Sequence, residues 1–412
     1  MRKYLLSLVI GCILAFISCL GYAQSTFPSV NWSNAQNISS ALPSESYELS
    51  GLYWNDFKKQ LFIVCDGGKL VVLNFNASSN SYTTLANINN LGGPEGITQV
   101  DNTTNEFYTV DENTYQIRKY ALSSNYTSVT LRNSWNLLAA PSPMTDTGNT
   151  GPEGLTFVPD WFLKRVGFIS SATGKAYSSS KGMNGLIFIA HQSGGYVWAF
   201  DVNPAVNDDF LYVGKYKTGE DESCDLAFDN STGLMYILHN TGSNFLEVTD
   251  LSTTLSSGVY KFNTSAEYFV PNPSSGSKNV EGFTLSPKYS NNAKVMAWFC
   301  RDVTSSSESA DCLRWFYPLN SIGDNIVASG LKNNIDNPNF TISAQHSTLN
   351  IRYLKNDIDH VDINLYTATG QMIYSGNNIN LPFEKNMDLK GPYYISISTS
   401  NQLLLSKKIL VL

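Results

Sequence analysis

Along the middle of this chain one phrase of apolar and polar positions recurs: a short motif containing Gly or Asp, a turn, an apolar run, a polar turn and a second apolar run. The first copy is Ser50-Gly51-Leu52-Tyr53, followed by the run from Gln60 to Asp66. The second is Glu95-Gly96-Ile97-Thr98, followed by Glu106 to Glu112. The third couples Glu153-Gly154-Leu155-Thr156 to Gly185 through His191, and the fourth Cys224-Asp225-Leu226-Ala227 to Leu234 through His239. The fifth couples Glu281-Gly282-Phe283-Thr284 to Val295 through Cys300. The step from Ser50 to Asp66 equals the step from Glu95 to Asp111, a register that chance rarely keeps. Each run is short, β-branched and aromatic, and is followed by Gly, Asn, Asp or Ser, which predicts one small antiparallel sheet per repeat. A lone sheet cannot bury both its faces, whereas radial packing of sheets of about 50 residues buries them all, as a β-propeller.

Five blades are expected, beginning near residues 47, 92, 150, 219 and 277, with a sixth, degenerate blade as the alternative. The fifth blade lacks an outer strand after Tyr317-Pro318, and residues 30–38 lack a sheet to join, so the N-terminal segment is expected to close the ring. A long insert at residues 161–183 separates the first two strands of the third blade and should lie on the far side from the starts of the inner strands. Beyond a linker, Leu349-Asn350-Ile351, Val361 to Tyr366, Met387-Asp388-Leu389, Gly391 to Ile395 and Lys407 to Leu412 alternate with turn residues, which predicts a small β-sandwich. The expected organisation is all-β: a leader over 1–23, a propeller over 24–330, a linker over 331–336 and the sandwich over 337–412.

Met1-Arg2-Lys3, an apolar stretch to Leu20 and the small residues of Gly21-Tyr22-Ala23 form a secretory signal with cleavage after Ala23. A retained anchor or a lipid-modified Cys19 are the alternatives. Loss of Arg2 and Lys3 takes the formal charge from −7 down by two to −9. No basic patch points to nucleic acid, no membrane span is expected once the leader is removed, and an acidic balance suits hard cations better than polyanions. The mature chain keeps Cys65, Cys224, Cys300 and Cys312. Cys300 and Cys312 bracket a polar loop between two apolar runs, which predicts a disulfide in an oxidising compartment, whereas Cys65 and Cys224 read as small buried hydrophobes.

In a propeller blade the first strand runs down beside the axis and the second runs back up, so the start of one meets the end of the other on one face. That places Glu95, Glu153 and Glu281, with Glu48 and Glu222 two residues before Ser50 and Cys224, in reach of Asp66, Asp111, Glu112, His191, His239 and Arg301. Glu48, Glu95, Glu153, Glu222 and Glu281 are the candidate ligands of a hard cation, Ca²⁺, and the others candidate ligand-binding groups. Capping of backbone N–H groups is the structural alternative for the glutamates, and hydrogen-bonded turn positions for the histidines. Two function classes stay open: a propeller that binds a small ligand or a surface glycan, and a metal-dependent esterase, lactonase or phosphoesterase with His191 or His239 moving the proton. No Gly-x-Ser-x-Gly or His-Glu-x-x-His motif fixes a reaction.

The phrases "ELSGLYWNDFKKQLFIV", "GPEGITQVDNTTNEFYTVDE", "GPEGLTFVPD" and "NVEGFTLSP" resemble the SdiA-regulated, or YjiK-like, propeller family, close to the esterase-like phytase propellers, over about residues 45–318. The resemblance implies a fold more than a function. Residues 337–412 resemble the type IX (Por-type) sorting domain of Bacteroidota, with Asn337-Pro338-Asn339-Phe340 where Tyr-Pro-Asn-Pro is usual and Gly391-Pro392-Tyr393 where Gly-Ile-Tyr is usual. It implies passage through the outer membrane by the type IX machinery and a secreted or cell-surface location. A carbohydrate-binding or adhesive sandwich that stays attached is the alternative.

Overall fold

The computed structural model describes residues 25–43, 48–287 and 295–319, and in the C-terminal part 339–345, 348–355, 358, 360–367, 372–387, 391–399 and 402–411. The expected leader and linker lie outside the described residues. Almost every element is a strand. The first repeat is a four-stranded antiparallel sheet of Leu49–Asn55, Gln60–Cys65, Lys69–Asn76 and Ser81–Ile88 in chain order. Four further units repeat this meander, with inner strands Pro94–Thr98, Pro152–Pro159, Asp225–Asp229 and Val280–Leu285. Each inner strand packs against the next, and Val280–Leu285 returns to Leu49–Asn55, so the strands close a ring. The architecture is a β-propeller followed by a small β-sandwich.

The second strands are buried at almost every position, and Gln60–Cys65 and Leu234–His239 at all of them. Their continuous apolar character follows from having a neighbouring sheet on both faces. One apolar core fills each interface: Phe62 with Phe107 between the first and second units, Val110 with Ile189 between the second and third, and Phe188 with Ile237 between the third and fourth. Tyr236 with Phe283 and Leu61 with Trp298 serve the remaining two. At the last of these Trp54 stacks on Trp298, with centroids 4.5 Å apart.

The fifth unit takes its outer strand from the N-terminal segment. Gln36–Asn37 pairs antiparallel with Leu313–Leu319, Gln36 opposite Trp315 and Asn37 opposite Arg314. Phe27 lies edge-on to Phe299 and Phe316, and Trp32 edge-on to Phe316, so apolar packing reinforces the closure. The insert in the third unit begins as the helix Asp160–Val166, capped by Gly167 at φ 63°, at the end of the inner strand remote from Glu153. Its Phe162, Leu163 and Phe168 enter the core between the third and fourth units. The buried Asp201 carboxylate ties the insert down by accepting hydrogen bonds from Tyr177 Oη, Ser179 Oγ and Ser180 N.

The expected Cys300–Cys312 disulfide does not form; these cysteines are free thiols, as are Cys65 and Cys224. Strand register is the reason. Cys300 stands opposite Leu313, with Sγ 3.6 Å from the Leu49 carbonyl oxygen, while Cys312 bonds the Ser39 side chain. In the tail, Phe340–Gln345, Thr348–Tyr353 and Phe383–Asn386 form one sheet and Met372–Asn380, His360–Thr367, Gly391–Thr399 and Gln402–Val411 the other. Leu349 and Ile351 of the first meet Ile363, Leu365, Ile395 and Ile397 of the second in one apolar core. Among the described residues no helix is long and apolar enough to cross a membrane.

Candidate functional site

The glycine column of the repeats marks where the inner strands crowd the axis. A Cβ on Gly51 would lie 2.6 Å from the Glu95 carbonyl oxygen, one on Gly96 2.7 Å from the Glu153 carbonyl oxygen, and one on Gly154 2.3 Å from the Asp225 Cα. Only hydrogen fits there, and the residue just before each glycine is set at the rim of the axis. Those residues are Ser50, Glu95, Glu153 and Glu281, with Cys224 in the fourth unit.

Glu95, Glu153 and Glu281 converge at this mouth with the acids that follow the second strands. Glu95 hydrogen-bonds the side chains of Asp66 and Ser50, and Glu153 hydrogen-bonds Glu112, each carboxyl pair bridging neighbouring units. Glu281 Oε1 accepts from Asn279 Nδ2 at 2.7 Å, and the same nitrogen donates to Asp302 Oδ2 at 3.0 Å. Glu48 forms a β-bridge with Asp302 and feels the charge of Asp302 and Asp66. Burial, then the charge of Asp66, pushes the Glu95 carboxyl up to about 9. Burial, then Asp302, pushes Glu281 up to about 8, and burial with Glu95 holds Glu153 well above the carboxylate range. The groups acting most strongly on these three are other acids and neutral amides or hydroxyls, so their repulsion is relieved by bound protons. Glu112 also accepts a backbone hydrogen bond, from Gly151 N at 3.1 Å. Among the described residues no group of three or more His, Cys, Asp and Glu is arranged to hold a metal ion as it stands.

Strand alternation divides the remaining candidates. The residue just beyond each second strand, Asp66 or Glu112, reaches the mouth, while the one before it turns into the blade stack. Asp111 accepts from Arg118 Nη1 at 2.6 Å, Gly93 N and Thr114 N. His239, fully buried, sets Nδ1 2.7 Å from the Glu222 carbonyl oxygen and Nε2 3.2 Å from Glu247 Oε2. His191 packs beside Tyr115 and Trp198; burial lowers its ring pKa to about 4, which keeps it neutral at physiological pH. Arg301 donates to the carbonyls of Asp311, Ser277 and Glu308 and does not neutralise the glutamates. The Glu222 carboxyl is raised by burial and adds its charge to the field on Glu281.

Sequence reasoning passed over two features. Asp225 occupies the glycine column in the fourth unit, and its buried carboxylate accepts from Phe283 N and Leu226 N, both at 2.8 Å, and from Leu52 N. It therefore staples the fourth, fifth and first units across the axis; the break in the column was its visible signal. The second is a polar cavity of about 400 Å³ beside the mouth, between the fourth and fifth units, lined by Asn240, Asn244, Lys278, Asn279, Asp302 and Glu308. Asp302 Oδ1 is buried there with no hydrogen-bond partner among the described residues.

No family model matches the chain, and no curated protein matches it. Among solved structures it is similar to a chain of the nidogen/laminin complex, at 11% identity and a TM-score of 0.33, over 64% of this chain and 79% of that one. It is also similar to the WD40 domain of coronin from Toxoplasma gondii, at 10% identity and a TM-score of 0.33, over 69% of this chain and 59% of that one.

Proposed function

We propose that this chain is an exported binding propeller of the SdiA-regulated type, whose carboxyl-lined mouth takes Ca²⁺ and, in the adjoining polar cavity, a small ligand or surface partner. The observation that carries the reading is the convergence of Glu95, Glu153 and Glu281 with Asp66, Glu112 and Asp302, where Glu95 bonds Asp66 and Glu153 bonds Glu112, carboxyl to carboxyl, and among the described residues none of the three glutamates pairs with Lys or Arg. A hard divalent cation replaces the protons of these carboxyls, so its binding releases acid. Ca²⁺ added to the weakly buffered, metal-free protein at neutral pH is expected to lower the pH and raise Tm, by about 2.7 kcal/mol of stability at a hundredfold excess over Kd. Glu153→Gln weakens both responses. Melting indifferent to Ca²⁺ and to chelator, with no acid released, would refute the cation. A metal-dependent esterase, lactonase or phosphoesterase is the weaker reading, because its proton carriers His191 and His239 are buried within the blade stack.

The tail is proposed to be the type IX sorting domain that its motifs resemble, delivering the propeller to the medium or the outer surface. Its own two sheets and apolar core support a separately folding unit. Deleting residues 337–412 is expected to leave a folded propeller retained in the periplasm. Surface delivery without the tail, read by fractionation, would reject the assignment.

A further inference from the structure

A second cavity, of about 220 Å³, opens between the second and third units at the end of the propeller opposite the mouth. We propose that it binds one uncharged pyranose ring, a site independent of the acidic mouth. Its apolar wall comes from Tyr108 on a second strand, Phe157 near the end of an inner strand, and Met183, which the insert of the third unit brings to the rim. Its polar side is the ion pair of Lys119 Nζ with Glu106 Oε2, at 2.9 Å, together with Asp101.

Three properties select the ligand class. The volume, about 220 Å³, gives room for one six-membered ring. The charge does not select an anion, because the lining cation, Lys119, already pairs with Glu106, and Asp101 faces the Lys58 ammonium. The division into an apolar wall and a hydrogen-bonding rim excludes a purely greasy ligand and suits a sugar ring, whose C–H groups meet the apolar wall while its hydroxyls reach the polar rim. Paired Lys119 and Glu106 present both donors and acceptors to hydroxyls without being separated by them.

The test uses the whole mature chain carrying ¹³C-methyl methionine, titrated with a panel of methyl hexopyranosides and N-acetylhexosaminides and, in parallel, with oligosaccharides ending in the same rings. Saturable, millimolar displacement of the Met183 methyl signal by at least one ring is expected. Equal affinity for ring and chain marks a free sugar as ligand, and tighter binding of the chain marks a glycan terminus. Lys119→Met and Glu106→Gln should each weaken binding at least tenfold, about 1.4 kcal/mol, with the melting curve and the response to Ca²⁺ unchanged. If one variant fails to fold, the other and the Met183 signal of the parent protein still decide. A Met183 signal that no sugar moves, one moved instead by free amino acids or organic anions, or full binding by both variants would overturn the proposal.

Discussion

Melted in chelator, the propeller is expected to be most stable in mild acid and to lose stability steadily as the pH rises toward about 9. The folded state raises the Glu95 carboxyl to about 9 and Glu281 to about 8, and lifts Glu153 well above its ordinary value of 4.5. A carboxyl that binds its proton more tightly when folded contributes stability that is complete below its unfolded pKa and disappears as the pH passes the folded one. The window therefore runs from about 4.5 to about 9. A tenfold tighter hold on one proton is worth about 1.4 kcal/mol, so even a fraction of the change at these three carboxyls amounts to a loss on the order of 5 kcal/mol, or roughly 10 °C in Tm. His191 acts in the opposite sense at the acid end. Its ring, lowered to about 4 chiefly by burial, must be neutral in the fold, so stability falls again as the pH drops below about 6. Scanning calorimetry across this range checks the curve. Combining Glu95→Gln with Glu281→Gln should flatten its alkaline limb, because an amide keeps the shape and cannot lose a proton. A Tm that holds steady or rises between neutral and alkaline pH would show that the mouth carboxyls do not hold their protons.

The second large effect is expected from one added methyl group at the axis. In Gly154→Ala the new Cβ would stand 2.3 Å from the Asp225 Cα and 2.8 Å from the Cys224 carbonyl oxygen, both backbone atoms of the neighbouring inner strand. Backbone cannot swing aside as a flexible side chain can, so the third and fourth units must separate, and Asp225, which bonds Phe283 N and Leu226 N from that spot, moves with them. Overpacking of this kind costs about 3 kcal/mol or more. Gly96→Ala, facing Glu153 O and Gly154 Cα at 2.7 Å, should behave alike. Gly67→Ala is the control: among the described residues no heavy atom beyond its chain neighbours lies within 4 Å of its Cβ position, and its stability should match the parent. Urea midpoints for the three variants decide. A Gly154→Ala protein as stable as Gly67→Ala would mean that the inner strands do not meet as described.

Charge at the mouth has a consequence for solubility as well as for binding. The formal acidity of the chain overstates its negative charge at neutral pH, because at least Glu95 and Glu281 hold protons with pKa values of about 9 and about 8. A bound Ca²⁺ would convert the same side chains to carboxylates without restoring net negative charge.

The amino-acid order alone determined the repeat, and with it the β-propeller, because a sheet buried on both faces demands the same short apolar runs and the same turn residues in every copy. It also made legible the three Glu-Gly steps, since the close approach of inner strands requires a glycine wherever it recurs and leaves its neighbour at the rim. What it left open was decided by tertiary contacts. Whether a residue at the end of a second strand faces the mouth or the blade stack depends on a one-residue alternation, which separates Asp66 and Glu112 from Asp111, His239 and Arg301 although all five are polar and stand at the ends of equivalent strands. Cys300 and Cys312 flank one loop, yet strand register sets Cys300 opposite Leu313. Asp225 reads as a defect in a glycine column until the fifth and first units bring the N–H groups of Phe283 and Leu52 to its carboxylate. Local pattern specifies which residues form strands, because propensity and burial act along the chain; which side chains meet is a property of register and ring closure, which join segments that the sequence holds far apart.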